Sequence, residues 1–231
     1  MNELFLERMR KMLKGEYPTY LEKLNDPARK GIRINTLKIM PADFFACTNY
    51  ELEKSPFAKN GYYANIKSGV GFTPEHMSGF FYIQEPSASS AVTILEPKPG
   101  MKVLDMCAAP GSKSTQISEL LHQCGLLVAN EIHPTRPRVL LENVERCGSA
   151  NTIVLNNDPK DISKAFPEFF DMVLCDAPCS GEGMFRKQPE ATDYWSTDYP
   201  SQCSSLQREI LEDAVTMLAE GGRVVYSTCT W

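Results

Sequence analysis

The feature that most constrains this chain lies in its second half, where short β-branched or apolar runs alternate with stretches of helical periodicity. The runs are MKVLDM (101–106), LLVANEI (126–132), NTIVLNN (151–157), DMVLCD (171–176) and RVVYSTC (223–229), five strand candidates. Between the first two, Ile117, Leu120, Leu121 and Cys124 fall at helical spacing and Gly125 supplies a stop. Between the second and third, Val139, Leu140, Val144 and Cys147 repeat the pattern and Gly148 ends it. Before the fifth, Ser204 to Gln207 reads as a capping box, followed by apolar positions through Leu218, with Gly221-Gly222 as the stop. Strands apolar along nearly their whole length, joined by helices, are buried on both faces. The pattern predicts an α/β fold, a Rossmann-like doubly wound parallel sheet.

Composition narrows the class. With 42% hydrophobic residues among 231, the chain can bury a core, which excludes intrinsic disorder. No apolar run approaches the ~20 residues needed to cross a bilayer, and the charged N-terminus is no signal peptide, so a cytoplasmic location is expected. Eight cysteines without a CxxC pair, and three widely spaced histidines, offer neither a disulfide framework nor a metal site. The formal net charge is -5, yet residues 1–40 carry nine Lys/Arg against five Asp/Glu. This basic part predicts an amphipathic helix (Leu4, Phe5, Met9, Met12, Leu13) and a strand in GIRINTLKI, with Arg29, Lys30, Arg33 and Lys38 either solvated or facing a phosphate backbone. Residues 41–80 read as an aromatic, Gly/Pro-punctuated linker. The expected division is a small N-terminal RNA-binding-type α/β domain over 1–70 and the doubly wound domain over 71–231.

In such sheets ligands bind beyond the carboxyl ends of the strands. Those ends are Asp105 through Lys113 after the first, Asn130-Glu131 after the second, Asn157-Asp158 after the third, Asp176 through Cys179 after the fourth, and Thr228-Cys229-Thr230 after the fifth. The first loop is built from small residues that let backbone N–H groups approach a ligand, but it matches neither GxxxxGK[ST] nor GxGxxG. Nucleotide hydrolysis and hydride transfer both lose ground. Glu131 suits a ribose diol and Asp158 an adenine amino group, so the implied ligand is adenosine bearing something other than a pyrophosphate. S-adenosylmethionine fits.

At this point whole motifs carry a resemblance. LDMCAAPGSKSTQ, ANEIHPTRPRVLLENVERCG, DMVLCDAPCSGEGMFRK and VVYSTCT, with RINTLK and GFFYIQEPSASSAV upstream, resemble the Sun/Fmu family of RNA 5-cytosine methyltransferases. The wording is closest to the RsmF-like branch that acts on 16S ribosomal RNA. The resemblance implies that Cys107, Ala108, Ala109, Pro110, Gly111, Ser112, Lys113, Glu131, Asp158 and Asp176 bind S-adenosylmethionine. It also implies Cys229 as the nucleophile and Cys179 as the cysteine for product release, no metal, and RNA, 16S rRNA or the small subunit, as partner. It further implies a longer protein, with the final strands of the sheet following Cys229.

The chemistry explains why these groups are needed. Carbon 5 of cytosine is a poor nucleophile, and thiolate addition at carbon 6 pushes electron density onto it. A thiol of pKa about 8.5 is mostly protonated at neutral pH, so a neighbour that lowers it raises the reactive fraction, and Lys113 is one such candidate. Asp176 is placed to read the polar edge of cytosine. Phe185, Arg186, Lys187, Tyr194 and Trp195 are available either to contact RNA or to pack. Cys47, Cys124, Cys147, Cys175 and Cys203 are expected in the core. Two other readings stand beside the favoured one: Cys179 as nucleophile, because Pro-Cys serves that role in DNA cytosine methyltransferases, and a non-catalytic RNA-binding assembly factor.

Overall fold

The computed structural model describes residues 2–66 and 69–230, which form two compact units. The first draws on residues 2–28, 177–209 and 228–230. It opens with α1 (Glu3–Leu13) and α2 (Tyr17–Leu24). Asn2 caps α1: its Oδ1 accepts from the N–H groups of Leu4 and Phe5 at 3.0 and 3.3 Å, while its amide donates to the carbonyls of Thr192 and Trp195. Phe5 and Met9, one helical turn apart, are buried together with Tyr17, Phe185 and Trp195. The Phe5 ring meets Phe185 and Trp195 edge-on at 4.9 and 5.4 Å. Phe185 and Trp195 are therefore core residues, whereas Tyr194 is exposed.

The second unit comprises residues 29–176 and 210–227. Its N-terminal sheet is antiparallel: β1 (Gly31–Ile34), then α3 (Pro41–Cys47), β2 (Leu52–Lys54), β3 (Gly61–Ala64), α4 (Pro74–Met77) and β4 (Phe81–Ile83), in the order β2-β3-β1-β4. The stretch 41–80 is thus no linker. Its aromatic residues are core-formers, with Phe44, Ile66 and Phe81 buried against Ile32 and Ile34, and strands of three or four residues are too short to show an alternation.

Arg33 departs from both readings made of it. It is 2% exposed, and its guanidinium bonds Glu119 at 2.5 Å, Gln84 at 2.9 Å, the Thr115 hydroxyl at 2.8 Å and the Ser112 carbonyl at 3.1 Å. It is a buried tie between β1 and the helix that follows the first strand of the parallel sheet. Five planar donors let one arginine meet four acceptors, which is what makes its burial tolerable.

After α5 (Ser90–Leu95), the parallel sheet alternates as expected: β5 (Lys102–Asp105), α6 (Ser112–Leu121), β6 (Leu126–Asn130), α7 (Arg136–Cys147), β7 (Thr152–Leu155), α8 (Pro159–Ala165), β8 (Phe170–Asp176), α9 (Tyr199–Thr216) and β9 (Leu218–Ser227). All pairs are parallel and the order is β7-β6-β5-β8-β9. The order reverses between β5 and β8, the topological switch point where ligands of such sheets bind. Both faces are covered, as a Rossmann-like doubly wound sheet requires. Val103, Leu127 and Leu174 pack with Val92, Leu95 and Ile117 of α5 and α6, while Leu104, Val128 and Val173 pack with Ile162, Ile210 and Ala214 of α8 and α9.

Two boundaries differ from the sequence reading. α9 starts at Tyr199, five residues before the capping box, because Pro200 in the first turn lacks only an N–H that has no helical partner there. The amide of Gln207 consequently points elsewhere, donating to the Pro178 carbonyl at 2.8 Å. α9 ends at Thr216 and β9 already begins at Leu218, so Gly221-Gly222 lies inside the strand as an irregularity rather than after the helix. Among the cysteines, Cys147, Cys175 and Cys203 are buried, but Cys47 and Cys124 are exposed, since both sit at or beyond a helix end where the apolar face has run out.

Candidate active site

In the second unit the loop after β5 is held from several sides. The Ala108 N–H donates to the Asn130 carbonyl at 2.8 Å, and the Asn143 amide donates to the Pro110 carbonyl at 2.8 Å. Arg136 donates to the Ala109 carbonyl at 2.7 Å and pairs with Glu131 at 3.3 Å. The Ala109-Pro110 peptide is cis. Gly111 enters α6 at φ +108, and a Cβ there would lie 3.2 Å from Leu140, so the turn wants glycine twice over. These bonds fix a small-residue loop ahead of the N-terminus of α6.

The carboxylates at the strand ends are differently occupied. Glu131 is buried, its Oε1 accepting from the His133 N–H at 2.9 Å. Asp176 accepts from Lys113 Nζ at 2.6 Å on one oxygen and from the Ser227 hydroxyl at 2.7 Å on the other. Asp158 caps α8, its Oδ1 accepting from the Lys160 N–H at 2.9 Å. Asp105, which the sequence reading left out of the binding set, is completely buried. Its Oδ2 accepts from the Ser114 hydroxyl at 2.7 Å while Oδ1 has no partner. Burial pushes its carboxyl up to about 6, against the pull of Ser114 and Lys113. Burial, and then the nearby Asp105, push the Cys107 thiol up as well. Arg136 and Asp105 had no signal in spacing; the position of Asp105 at a strand tip was the one clue.

In the first unit the two motif cysteines meet. Cys179 Sγ and Cys229 Sγ are 2.8 Å apart, and the Cys229 N–H donates to Cys179 Sγ at 3.4 Å. The neighbouring hydroxyls of Ser180 and Thr230 pair at 2.9 Å, and the Gly183 N–H donates to the Cys229 carbonyl at 2.6 Å. A Cβ on Gly183 would come within 2.9 Å of that carbonyl oxygen, so the close approach requires glycine. The Cys179 thiol is brought down to about 6 by a hydrogen bond from the Cys229 thiol, joined by the N–H groups of Cys229 and Gly181 and the Thr230 hydroxyl, against the opposing effect of burial.

Glu182 underpins the same loop. It is 3% exposed and accepts from Arg8 at 2.6 Å and from the Trp195 indole N–H at 2.9 Å. The sequence reading passed over both Arg8 and Glu182, because a pair 174 positions apart leaves no local pattern. By chain position Cys179 is three residues beyond the end of β8 and Cys229 two beyond the end of β9. No group of three His, Cys, Asp or Glu among the described residues is arranged to hold a metal, and no helix among them is long and apolar enough to cross a membrane.

The chain is similar to known proteins along nearly its whole length. Residues 92–231 match the model of the 16S rRNA methyltransferase RsmB/F family, and residues 1–86 match that of the N-terminal domain of 16S rRNA methyltransferase RsmF. The ribosomal RNA small subunit methyltransferase F of Salmonella paratyphi B is 40% identical over 99% of this chain and 50% of its own length, and that of Salmonella newport matches equally. The chain thus spans about half the length of the curated relatives it matches. Among solved structures, a methyltransferase homolog protein from Pyrococcus horikoshii is 32% identical with a TM-score of 0.85, covering 99% of this chain and 73% of that one. NSun6 from Pyrococcus horikoshii with SFG, at 20% identity and TM-score 0.86, covers 99% of this chain and 83% of its own and shares the fold. With one family model spanning more than half of its residues and full-length agreement of motifs, the chain belongs to the RsmB/F family of 16S rRNA methyltransferases.

Proposed function

We propose that this chain carries the methyltransferase portion of an enzyme that uses S-adenosylmethionine to methylate carbon 5 of a cytosine in RNA, 16S ribosomal RNA in particular, through a covalent cysteine adduct. The observation that supports it best is the contact between Cys179 and Cys229, with one thiol shifted to about 6. The lowered Cys179 thiol is largely thiolate at pH 7 and can take the Cys229 proton across the 2.8 Å contact, which frees Cys229 to add to carbon 6. After the methyl group has reached carbon 5, a water takes the carbon 5 hydrogen as a proton, the carbon 5–carbon 6 double bond re-forms as the bond from carbon 6 to the Cys229 sulfur breaks, and Cys179 returns its proton to that departing sulfur.

The residues present fit the methyl donor. Glu131 suits its ribose, Asp158 its adenine, and Cys107, Ala108, Ala109, Pro110, Gly111, Ser112 and Lys113 its amino-acid end. The partnerless Asp105 Oδ1 is a buried acceptor beside that loop, and Asp176 serves the polar edge of either ligand. When bound, S-adenosylmethionine supplies an electrophilic methyl group on a sulfonium. The division of labour proposed is an RNA-facing portion over 1–70 and a cofactor-holding portion over 71–231.

The test is an RNA carrying 5-fluorocytosine at the target, which cannot release the enzyme once methylated. Cys229→Ser is expected to abolish the covalent band and Cys179→Ser to retain it. The lowered Cys179 thiol favours a second reading in which Cys179 attacks, and the reverse outcome would establish that one.

A further inference from the structure

We propose that Cys179 and Cys229 form an oxidation site for hydroperoxides, closing to a disulfide that shuts the chain off reversibly. The pairing stands apart from the proposed methyl transfer; only its effect on activity rests on that reading. Three observations carry it. The sulfurs already lie 2.8 Å apart, so reaching the S–S bond length of about 2 Å moves each by under about half an ångström. The two stretches are tied together by the Gly183 N–H to the Cys229 carbonyl, the Cys229 N–H to Cys179 Sγ, and the Ser180–Thr230 hydroxyl pair, so the backbone is pre-positioned. Both cysteines are partly exposed, while Cys147, Cys175 and Cys203 are buried and hold their thiols protonated. The lowered Cys179 thiol names which sulfur reacts first.

The step balances as follows. The Cys179 thiolate attacks the terminal oxygen of the hydroperoxide: an S–O bond forms, the O–O bond breaks, and the leaving alkoxide or hydroxide takes a proton. The Cys229 thiol then attacks the sulfenic sulfur: an S–S bond forms, the S–O bond breaks, and hydroxide leaves with the Cys229 proton as water. Two sulfurs give up two electrons to the peroxide, and a thiol reductant reverses the change.

The experiment uses the full chain with the exposed Cys47 and Cys124 changed to serine, treated with hydrogen peroxide and analysed by non-reducing mass spectrometry. We expect a loss of about 2 Da, the two thiol hydrogens, a cross-linked peptide pair containing Cys179 and Cys229, and reversal by dithiothreitol. With Cys229→Ser, a sulfenic acid trapped by dimedone is expected on Cys179; with Cys179→Ser, oxidation at Cys229 is expected to slow at least about tenfold. A cross-link to Cys203 instead, no loss of mass, or unchanged oxidation of Cys229 in Cys179→Ser would overturn the proposal. Methyl transfer to small-subunit RNA is expected to fall in step with cross-linking and to return on reduction. A chain that cross-links but transfers no methyl group in either state counts against the proposed function and leaves the oxidation site standing.

Discussion

Arg33 illustrates how far a residue type alone can mislead. A lysine or arginine in a basic N-terminal stretch is usually solvated, yet this one is buried with Glu119, Gln84 and Thr115 around it. The motif RINTLK located the strand but not the acceptors, which come from residues 50 and more positions away. Because removing one partner of a buried pair strands the other, Arg33→Ala should lower stability by about 3–5 kcal/mol in urea unfolding. A loss under about 1 kcal/mol would mean that Glu119 finds another partner. Asp105 gives the second prediction at this scale. Its carboxyl binds its proton more tightly in the folded chain than in the unfolded one, so its contribution is complete below pH about 4 and is lost as pH rises through about 6. The span corresponds to roughly 3 kcal/mol. Asp105→Asn, neutral throughout, should flatten the stability profile between those pH values; a profile parallel to that of the parent would refute the assignment.

Elements were legible where periodicity is long and caps are strong. β5, β6, β8, α6 and α7 follow from apolar runs and glycine stops, because a parallel sheet buried on both faces imposes that pattern on its sequence. Of the antiparallel sheet over 31–83 only β1 was, since the strands are three or four residues long. The loop of residues 177–183 shows the same limit at the candidate site: its cysteine was evident, its support was not. Glu182 is buried against Arg8 of α1 and against Trp195. Glu182→Ala should therefore cost about 2–4 kcal/mol by thermal or chemical unfolding. Gly183→Ala, by crowding the Cys229 carbonyl, should alter the pH dependence of thiol alkylation at Cys179 with a smaller effect on stability. An unchanged alkylation profile would show that the loop adjusts without disturbing the sulfur pair.

At the scale of the molecule, the parallel sheet with its reversal between β5 and β8 supplies the cofactor half of the proposal. On the proposed role of Glu131 at the ribose, isothermal titration with S-adenosylmethionine should show one site per chain, weakened at least about tenfold by Glu131→Ala, since the loss of a buried hydrogen-bonding carboxylate is hard to replace. Absence of any heat or affinity in the parent chain would favour the assembly-factor reading. With a formal charge of -5 and few cationic contacts available, binding to RNA should be weak and should fall only gradually as salt rises.

The unit that holds the sulfur pair is assembled from three separated stretches, 2–28, 177–209 and 228–230. On the ribosome, α1 emerges long before the partners that bury Phe5 and Met9, and so it waits, unburied, while the β5–β6 strand pair already has its neighbour. Nascent chains halted short of residue 177 should therefore leave α1 open to protease, and protection should arrive only when the loop of Phe185 and Trp195 has been made. Vectorial synthesis thus separates the making of Cys179 from that of Cys229 by 50 residues, so the sulfur pair can close only after β9 has been made.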